Sequence, residues 1–297
     1  YVKQEDWTNA ARSASNLSEL ELTLGEVAGA VGDAEQSVTY ADRSGDAFWK
    51  MGARTTHADA LHQAGRWLEA EARFREAEQM QAKRQPNYPL LYSFAGFRYC
   101  DLLLMEAERA AGLRIANRGL QIADLIVACR AVTARAAQTL DWWTNHFTNA
   151  SPLDIAFDHL TLGRAALYAA ILEQSAIRNP QSAIESAVSG LRRAGTQQMI
   201  PLALLTRAWL RSLTGARTGS ESAQSDLDEA WEIAERGSMK LFLADIHLYR
   251  ARLFFCEPSY PWQSPQHDLV EAERLINECG YHRRDEELAD AKQAILG

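Results

Sequence analysis

The chain has 297 residues, a formal net charge of −8 and a 47% hydrophobic composition, enough apolar material to bury a core along most of its length. The acidic balance, with no Lys/Arg block longer than two residues, argues against nucleic acid and anionic membrane as partners, because both need concentrated positive charge. Glycine (17) and proline (8) are scarce, Ala, Leu, Glu, Arg and Gln recur throughout, and β-branched residues are thinly spread, so the fold class is all-α.

The first helical hairpin is expected over 5–44 and the second over 46–85. Shifted by 40 positions, NLSELELTLGEVAGAVGDAEQSVTYADRSGD (16–46) falls on THADALHQAGRWLEAEARFREAEQMQAKRQP (56–86), aligning Gly25 with Gly65, Ala30 with Ala70, Ala34 with Phe74 and Ser37 with Ala77. Each copy reads as an amphipathic first helix, a glycine turn and a second helix lined by small or aromatic residues at helical spacing. A lone hairpin cannot bury such a face, so neighbours must stack.

The third hairpin spans 88–147 and carries Tyr92, Ala95, Gly96 and Tyr99 in its first helix. Its second helix, read over 113–146, is unusually long and ends at Trp142 and Trp143. Consecutive helical positions point about 100° apart, so one Trp is expected inside and the other partly outside, which makes the pair candidate aromatic anchors for a partner. Trp67 and Trp231 are expected to pack on hairpin faces.

The fourth hairpin (152–195) has Gly163 in the small-residue position and Ala183, Ala187 and Gly190 on its second helix. The fifth (200–237) repeats the pattern with Ala208, Gly215, Ala223, Leu227 and Ala230, and the sixth covers 239–280. RRDEELADAKQAIL reads as a charged cap at 283–296 that closes the last apolar face. The segments 214–222 and 256–265 interrupt helices without acting as linkers, so the expectation is one solenoid domain over 1–297.

Cys100, Cys129, Cys256 and Cys279 lie far apart with no C-x-x-C pair, the pattern of reduced thiols in a cytoplasmic protein rather than of zinc or disulfides. No apolar run approaches the roughly 20 residues that span a bilayer, and YVKQEDWTNAARSAS lacks an apolar signal core. The chain begins at Tyr1 without an initiator methionine, which reads as part of a longer protein.

Catalytic signals are weak. His57 and His62 are five apart, on different faces of a helix and unlike the i, i+4 pairing of a zinc helix. Glu69, Glu71, Glu76 and Glu78 alternate with Arg73 and Arg75, a pattern of solvated ion pairs contributing roughly 0.2–0.5 kcal/mol each. Phosphate-loop, nucleophile-elbow and dinucleotide fingerprints are missing, so neither an enzyme nor a cofactor nor a metal is expected.

Ala70, Phe74 and Ala77, together with Tyr92, Ala95, Gly96 and Tyr99, resemble the tetratricopeptide repeat, whose unit is a helical hairpin with these small and aromatic positions. The resemblance implies a right-handed α-α superhelix of about six hairpins plus a cap. It also implies a concave groove of first helices for an extended ligand, at Glu19, Asp59, His62, Phe97, Asp101, Arg164, Tyr168, Trp209 and Arg252. The clustered Lys and Asn of a chaperone-tail clamp are missing from that set.

Several longer phrases, among them YPLLYSFAGFRYCDLLL, DLDEAWEIAERGSM and NECGYHRRDEEL, resemble the C-terminal repeat region of bacterial signalling ATPases of the NACHT or STAND type. That likeness implies a non-catalytic module that binds a protein or peptide ligand and couples it to an adjoining nucleotide-binding domain. A free-standing adaptor that self-associates or bridges two partners is the alternative, and an unrecognised hydrolase a third.

Overall fold

A computed structural model of the chain describes residues 6–113, 119–175 and 180–297. The described residues form thirteen α-helices and no strand, and the first twelve pack in adjacent pairs. The pairs are α1 (Trp7–Leu24) with α2 (Val27–Ser44), α3 (Ala47–Gln63) with α4 (Trp67–Arg84), and α5 (Ser93–Leu113) with α6 (Gly119–Asp141). They continue with α7 (Pro152–Leu172) and α8 (Pro180–Ala194), α9 (Ile200–Thr214) and α10 (Ala223–Arg236), and α11 (Lys240–Phe254) and α12 (Pro265–Cys279), before the single α13 (Asp285–Leu296).

The third pair departs from expectation. Leu113 closes α5 instead of opening the second helix, and 114–118 lie outside the described residues. Helix α6 is still the longest, at 23 residues, and runs into a π-helical turn at Trp142–His146. Trp142 is buried and Trp143 half-buried against Phe147, with ring centroids 4.8 Å apart, as the angular argument requires.

The chain divides into two compact units, each described by itself: one of residues 1–102, 238–241 and 274–286, the other of 103–237, 242–273 and 287–297. In the first, α1 and α2 meet through Ala11, Ala14, Ser15 and Ser18 against Ala30, Ala34, Ser37 and Ala41, all buried. Small side chains let the backbones approach, and the serines satisfy themselves across the seam. Ser15 and Ser37 hydroxyls are 2.7 Å apart, Ser18 donates to the Ala30 carbonyl at 2.8 Å and Ser37 to that of Ala11 at 2.9 Å.

Gly25 and Gly65 end α1 and α3 in the left-handed region, at φ 85° and 74°. A side chain would be strained there, and at Gly65 a Cβ would also sit 2.9 Å from the Cβ of His282. Ala70, Phe74 and Ala77 are fully buried, and Phe74 stacks on Tyr99 at 5.0 Å, so the second helix of one pair packs on the first helix of the next.

The amphipathic expectation fails for α3. Every residue from Ala53 to Gln63 is buried, including Arg54, His57, Asp59 and His62, because the helix is enclosed all round. Burial pushes the His57 imidazole below its ordinary value. Trp67 is also a correction, since it stands 48% exposed at the start of α4.

In the second unit, α7 and α8 cross where Gly163 faces Ile184 and Gly190 faces Ala156; a Cβ at either glycine would lie within 2.7 Å of those side chains. Helix α10 opens on a capping box between Ser222 and Ser225. Helix α7 is long and apolar enough to cross a membrane by length and composition, but 67% of its apolar window is buried in the protein, as in a core helix. All four cysteines are free thiols, with Cys256 exposed and the other three buried.

Candidate binding groove

In the first unit the first helices present an alternating ladder of acids and arginines. Arg98 on α5 lies 2.9 Å from Asp59 on α3 through Nε and 3.0 Å from Glu19 on α1 through Nη1, with its guanidinium 3.8 Å above the Phe94 ring. Gln63 donates to Asp59 at 2.8 Å. Burial lifts the Asp59 carboxyl above its ordinary value, and Arg98 opposes the rise.

The next acid on this face, Asp101, is gripped by an arginine from far along the chain. Arg283, in the turn His282–Arg284 before α13, donates to the two Asp101 oxygens at 2.5 and 3.0 Å and reaches the Gln63 side-chain Oε1 at 3.4 Å. His62 Nδ1 stands 3.7 Å from the same carboxylate. Arg283 and Asp101 side chains are only 6% and 10% exposed, so the bidentate pair is sealed from water.

The second unit builds its counterpart from aromatics. Glu108, 1% exposed, accepts from Arg164 at 3.0 Å and Tyr249 at 3.4 Å, while Arg164 Nε donates to the Tyr168 hydroxyl at 3.1 Å. Tyr168, Trp209 and Tyr249 follow one another at centroid distances of 5.4 and 6.0 Å. Arg252 lies over Trp209 and Tyr249, 5.4 and 5.9 Å from their centroids.

The nine residues assigned to the groove by resemblance therefore fall into two sets: Glu19, Asp59, His62, Phe97 and Asp101 in one unit, Arg164, Tyr168, Trp209 and Arg252 in the other. Seven are buried, and Glu19 and Arg252 are half-buried. In the first unit this face is covered by the chain's own Arg283, bonded to Asp101. The arrangement encloses the Arg283 guanidinium between the Asp101 carboxylate and the Gln63 side-chain amide oxygen.

Arg98, Arg283, Gln63, Glu108 and Tyr249 were not singled out by the sequence. A signal existed, since most first helices carry an arginine in an apolar context. Arg207 and Arg250, 43 positions apart, are both buried beside second-helix acids, Asp226 and Asp228. Arg250 is also held between the Trp231 and Trp262 rings, 4.5 Å from each centroid.

His247 and Asp268 form a buried acid–imidazole pair. His247 Nδ1 is 2.5 Å from Asp268, which also accepts from the Tyr260 hydroxyl, and the Trp231 ring lies edge-on to the imidazole at 5.0 Å. Burial and Asp268 hold the Tyr260 phenol protonated, well above its ordinary value. Among the described residues no Ser, Thr or Cys is hydrogen-bonded to His247, so the pair lacks the nucleophile of a hydrolytic triad. Among them, too, no three His, Cys, Asp or Glu side chains are grouped as a metal would require.

Compared with known proteins, the chain matches no protein-family model, and no curated protein shows significant similarity to it.

Proposed function

We propose that the chain is a non-catalytic helical repeat module of the tetratricopeptide kind, wound as a right-handed superhelix, that binds a protein or peptide segment through its first helices. In this reading it is the sensor or scaffold region of a larger bacterial signalling protein in the cytoplasm, of the NACHT or STAND type. The observation that supports it is the Arg283 side chain seated on Asp101 and Gln63, an arginine on a short turn held as a partner's arginine would be. A partner segment carrying arginine competes with that contact. Its binding favours the arrangement in which the turn before α13 is released, a population shift set by differential affinity.

The test uses a fluorescent peptide copying residues 280–286, followed by anisotropy. The Arg283→Ala chain is expected to bind it at least about tenfold more tightly than the wild-type chain, a difference of about 1.4 kcal/mol. Adding Asp101→Asn to that variant should abolish the gain, as should a peptide with alanine in place of Arg283. Equal affinity for all three chains removes the reading.

A further inference from the structure

A cavity of about 220 Å³ lies in the second unit between the C-terminal ends of α5 and α11 and the face of α13. Its apolar wall includes Leu113, Leu253, Phe255, Ala291, Ala294 and Ile295, and three arginines line it: Arg109, Arg217 and Arg252.

The arginines are not equivalent. Arg109 is matched by Asp290, with Nε to Oδ2 at 2.7 Å and Nη2 to Oδ1 at 3.3 Å. Arg217 is held by Glu257 at 2.5 Å and the Leu253 carbonyl at 3.1 Å. Arg252 has one long bond, from Nη1 to Glu287 at 3.4 Å, and its Nε and Nη2 donate to none of the described residues, although the side chain is only 14% exposed. A guanidinium carries five donors, so most of its capacity is unused at the cavity wall. Its seat is made by Gly112, where a Cβ would fall 1.6 Å from Nη2, and by the Trp209 and Tyr249 rings.

We propose that this cavity binds a small organic carboxylate, whose two oxygens take the unused Arg252 donors and whose short apolar body lies against Leu253, Phe255 and Ile295. The charge sign follows from three arginines against two acids, Glu287 and Asp290, in the lining, and the size from a volume below the roughly 300 Å³ at which drug-sized pockets begin. Planar bidentate recognition of a carboxylate is what a guanidinium backed by aromatic rings does best. The site uses residues other than those gripping Arg283, and Arg252 is the one position it shares with the first-helix set of the peptide reading.

Two readouts on the full chain test it. Calorimetric titration with hexanoate and phenylacetate is expected to give saturable binding with Kd below about 1 mM, and hexylamine none. Cys256, which lines the cavity and is the exposed cysteine, should react more slowly with a thiol reagent when either acid is present. Arg252→Met keeps the bulk but removes the donors and should weaken binding at least about tenfold. If that variant fails to fold, Gly112→Ala, which forces the guanidinium from its seat, should do the same. No saturable binding by either acid, equal binding of hexylamine, or unchanged affinity in the folded variant overturns the proposal.

Discussion

Replacing Asp226 with alanine is expected to cost the fold about 3–5 kcal/mol, the range for removing one partner of a buried ion pair. Asp226 is 1% exposed in the first turn of α10 and accepts from Arg207 at 2.6 and 3.1 Å and from Arg211 at 3.0 Å. Burial pushes its carboxyl above the ordinary value and the two guanidinium groups oppose that. Without it Arg207, itself 7% exposed, keeps only Glu185 at 2.9 Å, a half-exposed acid.

Urea unfolding distinguishes that loss from a generic surface effect. Glu185→Gln should cost less than about 1 kcal/mol, because an exposed partner contributes little. The double replacement Arg207→Met with Asp226→Leu should cost less than Asp226→Ala alone, since no charge is left stranded. If Asp226→Ala unfolds at the wild-type urea concentration, the pair does not hold α9 to α10.

Asp158→Asn is expected to stabilise the protein above neutral pH and to flatten its pH profile. Asp158 on α7 is buried, and burial pushes its carboxyl from an ordinary 3.8 up to about 7, against a single opposing hydrogen bond from Thr139 at 2.7 Å. Its Oδ2 has no hydrogen-bond partner among the described residues. The Thr139 hydroxyl also lies 3.2 Å from the Arg135 and Ala136 carbonyls and has only one proton. A protonated Asp158 can donate to Thr139, which then donates onward, so the neutral acid satisfies the cluster and the carboxylate does not.

The folded state holds this proton to higher pH than the unfolded chain. Asp158 therefore contributes its stability in full below about pH 4 and loses it as pH rises through about 7. The gap between 3.8 and about 7 amounts to on the order of 4 kcal/mol. Wild type should fall relative to Asp158→Asn across that window in urea unfolding at pH 5 and pH 8; parallel profiles would show that the group titrates normally.

The hairpins were legible because their signals are local. Gly25 and Gly65 turn the chain where a side chain cannot, and Ala70, Phe74 and Ala77 mark the buried face of α4 at helical spacing. The surface reading of the α4 charges also holds in part: Arg73 meets the half-exposed Glu76, and the exposed Arg75 meets Glu71. Glu76, however, also reaches the buried Arg54 at 2.7 Å, a contact between helices that no one-helix pattern reports.

The groove was less legible for the same reason. Asp59, His62 and Asp101 look like solvated polar positions until α3 is found enclosed, and the arginine that answers Asp101 lies 182 positions away. Local periodicity places residues on a helix face. It cannot say which distant segment covers that face, because docking such a segment depends on three-dimensional complementarity between Arg283, Asp101 and Gln63.

The central claim, that the first-helix groove of the first unit grips an arginine through Asp101, is tested most directly by a double-mutant cycle. Asp101→Asn, Arg283→Gln and the double variant are compared with wild type by urea unfolding. A bidentate pair sealed from water predicts a coupling of at least about 1 kcal/mol, with the second replacement nearly free once the first is made. Additive costs within about 0.5 kcal/mol would contradict it, leaving Arg283 a bystander in the groove.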